Sequence, residues 1–370
     1  MKESDNMTVQ QMRRKRRKIR REIKYGLVAI FAIIFIVLIF LVVIPLIDQM
    51  RLSSMGYSRE SAKNIVSQKL TKTVLSRDYS AAFDANMLEN VEVGDYLELY
   101  FVAEELDETD ILLYDRLIAL TYEQEEVLKA FGSLTFKEIT PLLIFNAVDD
   151  IDLYITDVMQ NREQEVFTLT NTYTEHYERI QEISDPEMTN VLLNKYYAVS
   201  NTYEPELSEM TVQYASSGQR MQSEAYQAFM KMADALKSDG LGGIYVYSGY
   251  RSYETQDRIY NNYVKTKGLK WADSYSARPG HSEHQLGLAV DVTATKSPSS
   301  PFETTPEYSW LSENAYKYGF ILRYPETKEI ITGYAYEPWH YRYVGVELAH
   351  QVYTSGLTYD EYCMLYDIAK

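Results

Sequence analysis

The pattern of apolar and polar residues changes sharply near the N-terminus. Residues 26–47 contain no charged side chain and are rich in Ile, Leu, Val and Phe. At about 1.5 Å per residue, a helix of this length spans roughly 33 Å, which is enough to cross the hydrocarbon core of a bilayer. The pattern therefore predicts one transmembrane helix over residues 26–47.

The segment before this helix is strongly basic. Residues 1–25 hold ten Lys or Arg and three Asp or Glu, a formal charge of +7, so the rest of the chain carries −23. A basic flank beside an apolar span favours a cytoplasmic tail over a nucleic-acid-binding arm. A cleaved signal peptide is the alternative, but residues 26–47 are long for one and no small-x-small site follows Pro45. We predict an uncleaved anchor, with the N-terminus in the cytoplasm and the remainder outside.

Residues 48–187 are acidic and rich in helix-forming residues, and they contain no motif that indicates chemistry. Ser58 and Thr135 each precede a helical stretch, at the position where a side-chain oxygen can cap a helix. The run Asp185-Pro186-Glu187 interrupts the pattern. We therefore expect an α-helical spacer over residues 48–187 and a separate domain over residues 188–370.

Helices and strands are mixed in residues 188–370. Apolar residues recur at helical spacing in some stretches and form short β-prone runs in others. Because no βαβ rhythm appears, an α+β fold with a small, mainly antiparallel sheet flanked by helices is expected. The predicted helices span residues 220–237, 253–265, 309–318, 346–355 and 358–367, and the predicted strands span residues 244–247, 288–292, 320–323 and 340–344.

Two His residues and two carboxylates occur at short spacings within this domain. His284 and Asp291 lie seven positions apart, and Glu337 and His340 lie three apart. Two His and one carboxylate leave an open coordination position, which is typical of catalytic rather than structural zinc sites. His284, Asp291 and His340 would therefore hold one zinc ion per chain. The remaining carboxylate, Glu337, could then handle the protons of a zinc-bound water.

The motifs around these residues resemble those of a known family. The pattern Ser-x-His-x-x-Gly-x-Ala-x-Asp at 282–291, followed by Glu-x-Trp-His at 337–340, is similar to zinc D-alanyl-D-alanine carboxypeptidases of the VanY type. The run Ser-Gly-Tyr-Arg-Ser at 248–252, together with Gln256, also matches. Three motifs in the same order are more specific than any one of them alone. The resemblance extends over about residues 192–357.

The resemblance implies a fold, an activity and a set of site residues. The fold would be the zinc peptidase fold shared with lysostaphin-type peptidases and the hedgehog signalling domain, so that residues 188–370 form the catalytic domain. The family assigns His284, Asp291 and His340 as zinc ligands, Glu337 as general base, and Arg251, Gln256 and Ser282 as substrate contacts.

The substrate implied by the resemblance is the stem peptide of peptidoglycan, trimmed by one terminal D-alanine. Arg251 suits this reaction because its planar guanidinium can bind a terminal carboxylate through two hydrogen bonds. One alternative is an LD-carboxypeptidase acting on tetrapeptide stems. A second is a non-catalytic wall-binding or regulatory protein, which the presence of Glu337 disfavours. Anchoring through residues 26–47 predicts a Gram-positive-type envelope, and no nucleic-acid partner is expected.

Overall fold

The computed structural model describes residues 9–89, 93–103, 106–120, 122–145, 151–162, 177, 180–294 and 301–368. The contacts between residues in space divide the chain into two compact units, residues 1–106 and residues 107–370. The second unit therefore begins well before residue 188, and the predicted domain boundary at that residue stays a prediction.

The first unit begins with one continuous helical rod. It consists of α1 (Val9–Leu38), a π-helical turn (Ile39–Val43) and α2 (Ile44–Met55). An 18-residue window within Met12–Met55 has a mean hydropathy of 3.7, and none of it is buried. This is the one helix among the described residues that is long and apolar enough to cross a membrane, and it contains the predicted span.

Four short helices follow the rod in the described part of the first unit. The Oγ of Ser58 accepts a hydrogen bond from the Ser61 amide, so the predicted cap is present at the start of the first of these helices. Apolar side chains such as Leu52, Ile65 and Phe83 are fully buried and form the core of this unit. The four helices are α3 (Arg59–Ser67), α4 (Thr71–Val74), α5 (Ala81–Leu88) and α6 (Leu97–Val102).

The second unit contains the remaining helices and all eight strands found in the described part of the chain. Its helices are α7 (Glu108–Ala119), α8 (Gln124–Phe131), α9 (Phe136–Ile139), α10 (Pro141–Phe145), α11 (Ile151–Asn161), α12 (Ser223–Ser238), α13 (Tyr253–Lys267), α14 (Leu269–Tyr275), α15 (Pro306–Asn314), α16 (Glu329–Thr332), α17 (Val346–Ser355) and α18 (Tyr359–Tyr366). Its strands are β1 (Gln181–Glu182), β2 (Tyr197–Ala198), β3 (Ser208–Glu209), β4 (Arg220–Met221), β5 (Tyr245–Ser248), β6 (Ala289–Thr293), β7 (Phe320–Leu322) and β8 (His340–Tyr343).

A four-stranded sheet lies at the centre of the second unit. Its strand order is β5-β6-β8-β7, and every neighbouring pair is antiparallel. All five residues of β6 are buried, as expected for a central strand covered on both faces. The predicted α+β class, the antiparallel sheet and the four predicted strands are confirmed.

Within residues 188–370, one predicted helix begins later than expected, and helices α14 and α16 were not predicted. The helix predicted to begin at residue 220 begins at Ser223, because Arg220 and Met221 instead form β4 and pair with β3. Helix α14 follows directly after α13, and the two are separated by Gly268, whose φ of +89° ends one helix and allows the chain to begin the next.

Helix α18 contacts α7 and α10 as well as α16 and α17. Thr358 and Glu361 form a capping box at its start. Thr140 Oγ1 donates to the Glu361 carboxylate at 2.5 Å, and Arg116 Nε donates to the Leu365 carbonyl at 2.9 Å. Helices α7 and α10 therefore pack on the same C-terminal helix as the sheet domain does.

Candidate metal centre and active site

Two neighbouring strands and one tight turn position the three predicted metal ligands. Asp291 on β6 and His340 on β8 are direct partners in the antiparallel register, so their side chains lie beside each other. His284 lies in a 3₁₀ turn, Glu283–Leu286, which ends at Gly287 with φ +68°. The positive φ favours glycine at position 287, and a Cβ there would lie 2.7 Å from Leu207 Cδ2, so it would also displace that side chain.

The structure brings the three predicted ligands together. One ligand atom from each of His284, Asp291 and His340 lies within 4.8 Å of the others, and all three residues are buried. His284 Nε2 is 3.3 Å from Asp291 Oδ2, and His340 Nδ1 is 3.1 Å from Asp291 Oδ1. Two imidazole nitrogens and one carboxylate with room for a further ligand are the donor set of a catalytic zinc site.

The two histidines face the centre through different ring nitrogens. His284 Nδ1 lies 2.7 Å from the Gly249 carbonyl oxygen. A carbonyl can only accept, so Nδ1 carries the proton and Nε2 keeps its lone pair. His340 is oriented the other way round, because its Nε2 lies 3.2 Å from Glu283 Oε2 while its Nδ1 faces Asp291 and the centre. The tautomer of His284 is assigned from its hydrogen-bond partner.

The electrostatics of the centre favour a positive charge. Burial lowers the pKa of His340, but hydrogen bonds to Asp291 and Glu283 outweigh burial and raise that pKa to about 9. Burial tends to raise the pKa of Asp291, yet His284 and His340 hold it well below its ordinary range. A buried place where carboxylates converge on imidazoles suits a divalent cation, so the residues present fit zinc.

Glu337 lies beside the three predicted ligands, in the loop before β8. Its Oε2 is 3.7 Å from His340 Nδ1. Burial is the largest influence and raises the pKa of Glu337 to about 7; the charge of His340 opposes this and that of Asp291 adds to it. A carboxyl group that exchanges its proton near neutral pH is suited to general acid–base work.

The predicted substrate contacts line the same cavity as the ligands. The cavity has a volume of about 370 Å³, and all seven predicted site residues border it. Arg251 Nη2 is 3.8 Å from Asp291 Oδ2, which places the guanidinium at the edge of the metal centre. Arg251 Nη1 donates to Gln256 Oε1 at 2.7 Å, and Gln256 Nε2 donates to the Ala277 carbonyl at 2.6 Å. Gln256 therefore orients Arg251 and is itself held by backbone.

His281 does not belong to the metal centre, although it lies three residues before His284. Its Nδ1 is 2.7 Å from the Asn194 carbonyl oxygen, and its ring packs edge-on against Tyr177 at 4.9 Å. Burial lowers the pKa of His281, so it is a neutral residue that fixes the loop.

One group of residues around the centre was missed by the sequence analysis. Glu283 is fully buried and bonded to His340, and two arginines from the sheet region, Arg323 and Arg342, contact its other oxygen. The available signal was the position of the arginines, because both occur within otherwise apolar β-prone runs. A charged side chain in such a run needs a buried partner.

Together, the antiparallel sheet and the His-Asp-His centre with its neighbouring carboxyl group define a metal-dependent hydrolase of the peptidase type. The family model for the VanY D-alanyl-D-alanine carboxypeptidases matches residues 218–346. YodJ of Bacillus subtilis, a protein assigned as a carboxypeptidase, is 38% identical over 213 residues, which cover 55% of this chain and 78% of YodJ.

Two enterococcal proteins are similar as well. A D-alanyl-D-alanine carboxypeptidase of Enterococcus faecalis is 40% identical over 187 residues, covering 48% of this chain and 66% of the relative. VanXYC of Enterococcus gallinarum, a bifunctional D-Ala-D-Ala dipeptidase and carboxypeptidase, is 33% identical over 178 residues, covering 46% of this chain and 91% of the relative. The chain belongs to the VanY family of D-alanyl-D-alanine carboxypeptidases.

Solved structures with similar chains include an LD- and a DD-enzyme. The LdcB LD-carboxypeptidase matches with a TM-score of 0.47 and 39% identity, over 52% of this chain and 92% of that chain. The D,D-pentapeptidase VanY E175A mutant from the VanB-type resistance cassette, in complex with Zn(II), matches with a TM-score of 0.42 and 39% identity, over 47% and 98%. The predicted family and the carboxypeptidase class are confirmed by the family model and the relatives, and the His-Asp-His group fits the predicted zinc.

Proposed function

We propose that this chain is a membrane-anchored zinc carboxypeptidase that removes the terminal D-alanine from peptidoglycan stem peptides outside the membrane. The observation that carries the proposal is the shared cavity. It is bordered by His284, Asp291 and His340, by the carboxyl group of Glu337, and by the guanidinium of Arg251. A metal site, a proton carrier and a carboxylate receptor are the three parts that a metallocarboxypeptidase needs.

Zinc would be held by His284 Nε2, His340 Nδ1 and the Asp291 carboxylate. When bound, it would polarise a water molecule and a peptide carbonyl and so supply Lewis-acid chemistry. Asp291 lies opposite His340 in the sheet register, and His284 is held by the Gly249 carbonyl. The ligands are therefore fixed by backbone before any metal enters.

Glu337 would carry the proton of the reaction. Its carboxylate takes a proton from the attacking water as a bond forms between the water oxygen and the scissile carbonyl carbon. It then gives that proton to the amide nitrogen as the carbon–nitrogen bond breaks. The products are the shortened peptide and one free amino acid.

Arg251 would bind the carboxylate at the free C-terminus of the substrate. Gln256 and Ser248 hold two of its nitrogens at 2.7 Å and 2.9 Å, so the guanidinium is oriented before the substrate arrives. Ser282 borders the cavity on the ligand side and offers a hydroxyl to the peptide. A fixed guanidinium can bind a carboxylate in a bidentate manner, and a terminal amide would leave that charge without a partner.

The proposed location rests on the N-terminal sequence. The apolar helix anchors the chain, and the basic residues before it would stay in the cytoplasm under the positive-inside rule. The second unit would then face the wall, where stem peptides lie. No protein partner is proposed.

Defined peptides separate this function from its alternatives. The full chain in detergent is incubated with a pentapeptide stem ending in D-Ala-D-Ala and with the corresponding tetrapeptide, and the products are weighed by mass spectrometry. We expect the pentapeptide to lose one alanine and the tetrapeptide to persist. Cleavage of the tetrapeptide alone would identify an LD-carboxypeptidase. Cleavage of neither, with zinc bound, would identify a non-catalytic wall protein.

A further inference from the structure

Glu283 occupies an unusual place between the metal centre and a buried ion network. Its side chain has no solvent exposure, and its two oxygens contact different groups. Oε2 lies 3.2 Å from His340 Nε2. Oε1 accepts from Arg323 Nε at 2.8 Å and from Arg342 Nη1 at 3.0 Å. Oε2 therefore contacts His340, and Oε1 accepts hydrogen bonds from both arginines.

The arginines are themselves fixed on their far sides. Arg323 donates to the Asp360 carboxylate at 2.5 and 3.2 Å and to the Leu193 carbonyl at 3.2 Å. Arg342 donates to the carbonyls of Thr189 and Val191, each at 2.9 Å. Two carboxylates and two guanidiniums form a buried cluster without net charge, which holds the Glu283 carboxylate in one position.

The position of the Glu283 carboxylate sets which nitrogen of His340 is available to a metal. A carboxylate paired with two arginines is ionised and can only accept hydrogen bonds, so the facing nitrogen, Nε2, must carry the proton. Nδ1 faces Asp291 at 3.1 Å, on the side where the three ligand atoms converge, so it is the nitrogen that would give its lone pair to a metal. A carboxylate behind a ligating histidine also strengthens the histidine as a donor.

We propose that Glu283 is a positioning residue of the metal centre, which holds His340 with its proton on Nε2 and its Nδ1 directed at the metal. The proposal rests on the proposed zinc site, since His340 is one of its ligands. Arg323 and Arg342 serve this role by fixing Glu283. The alternative is that the buried network contributes only to folding and that His340 would bind metal equally well without it.

Metal affinity measured by chelator competition distinguishes the two accounts without any peptide substrate. The full chain is compared as wild type, as Glu283→Gln and as Asp360→Asn. Both variants remove one carboxylate from the same cluster and leave the same excess charge, but Asp360 does not contact His340. We expect Glu283→Gln to weaken zinc binding by roughly 10–100-fold. Asp360→Asn should lose folding stability and keep a zinc Kd close to that of the wild type. Equal zinc affinity in wild type and Glu283→Gln, or an equal loss in both variants, would overturn the proposal.

A second measurement needs no variant and therefore does not depend on folding. With ¹⁵N-labelled histidine in the zinc-loaded wild type, long-range nitrogen–proton spectra report the tautomer of each ring. We expect one ligand histidine protonated on Nδ1, as for His284, and one protonated on Nε2, as for His340. Two ligand histidines with the same tautomer would refute the role of Glu283. Absence of peptide hydrolysis would count against the proposed function but would leave this result unchanged.

Discussion

At the scale of single residues, the chemistry depends on a few side chains whose surroundings change their acidity or fix their orientation. Glu337 is a buried carboxyl group whose pKa is raised to about 7, mainly by burial. Arg251 is held by Gln256 and Ser248 at the edge of the metal centre. The first residue is prepared to move a proton and the second to hold a charge, so their substitutions should have different kinetic effects.

Replacing Glu337 by alanine should separate metal binding from turnover. Glu337 is not among the three ligands, so the variant should still bind one zinc per chain. Without a proton carrier, kcat should fall by roughly two to four orders of magnitude. Zinc content measured by atomic absorption and kcat measured by D-alanine release test both statements. A variant that loses its zinc would show that Glu337 is a ligand instead.

Replacing Arg251 by lysine keeps the positive charge and removes the planar fork. If Arg251 binds the terminal carboxylate, the wild type should strongly prefer a peptide acid over the matching peptide amide, because the amide offers no negative charge to the partly buried guanidinium. The lysine variant should bind the acid more weakly and discriminate less. Equal wild-type kcat/KM for the acid and the amide would indicate an endopeptidase that does not read the C-terminus.

The residues of the metal centre that lie in short motifs could be predicted from the sequence. His284 and Asp291 are seven positions apart, and Glu337 and His340 are three apart, so their common task could be predicted. Glu283 lies inside the first motif, at a position that the motif leaves unspecified, and looks like an ordinary polar residue of a turn. Its role depends on arginines 40 and 59 positions downstream, and only folding brings these residues together.

At the scale of secondary-structure elements, the strands were predictable and some connections were not. β6 is a run of apolar residues interrupted by Asp291. Both the burial of the strand and the charged residue within it could therefore be predicted from the sequence. β4 contains only Arg220 and Met221, and its pairing with β3 prevents the helix from beginning there. Such short pairings depend on contacts between distant segments, and local periodicity contains no information about them.

A buried lysine links the segment before β2 to helix α14 and gives a pH-dependent stability. Lys195 Nζ donates to the Asp273 carbonyl at 2.8 Å, and its side chain is 3% exposed. Burial is the largest influence and lowers its pKa to about 8; the Asp273 charge opposes this, and the Arg278 charge adds to it. Below pH 8 both folded and unfolded states hold the proton. Between pH 8 and the unfolded pKa of about 10.4, the unfolded state binds more protons, so this lysine makes stability rise with pH.

Comparison with Lys195→Met isolates this effect. From pH 8 to pH 10, the unfolding free energy of the wild type should gain about 2 kcal/mol relative to the variant. Denaturant titrations followed by tryptophan fluorescence report the unfolding of the second compact unit. The three tryptophans, Trp271, Trp310 and Trp339, all lie in that unit. A difference between the two proteins that is constant over this pH range would contradict the lowered pKa.

At the scale of the whole molecule, the chain combines a basic tail, an apolar helix and an acidic remainder. This distribution predicts that the N-terminus lies in the cytoplasm and that everything after the helix lies outside. Protease added to intact, wall-stripped cells should therefore remove the metal-binding unit, as detected by an antibody against the C-terminus. Protection of that unit until the membrane is permeabilised would show the opposite orientation.

The central claim is that one zinc ion, held by His284, Asp291 and His340, is required for removal of a single terminal D-alanine. The most direct test is to strip the full chain of metal, add zinc back in steps, and measure D-alanine release from a D-Ala-D-Ala pentapeptide. We expect activity to return in proportion to zinc and to level off at one ion per chain, with His284→Ala remaining inactive throughout. Hydrolysis at the full rate after exhaustive chelation would contradict the account.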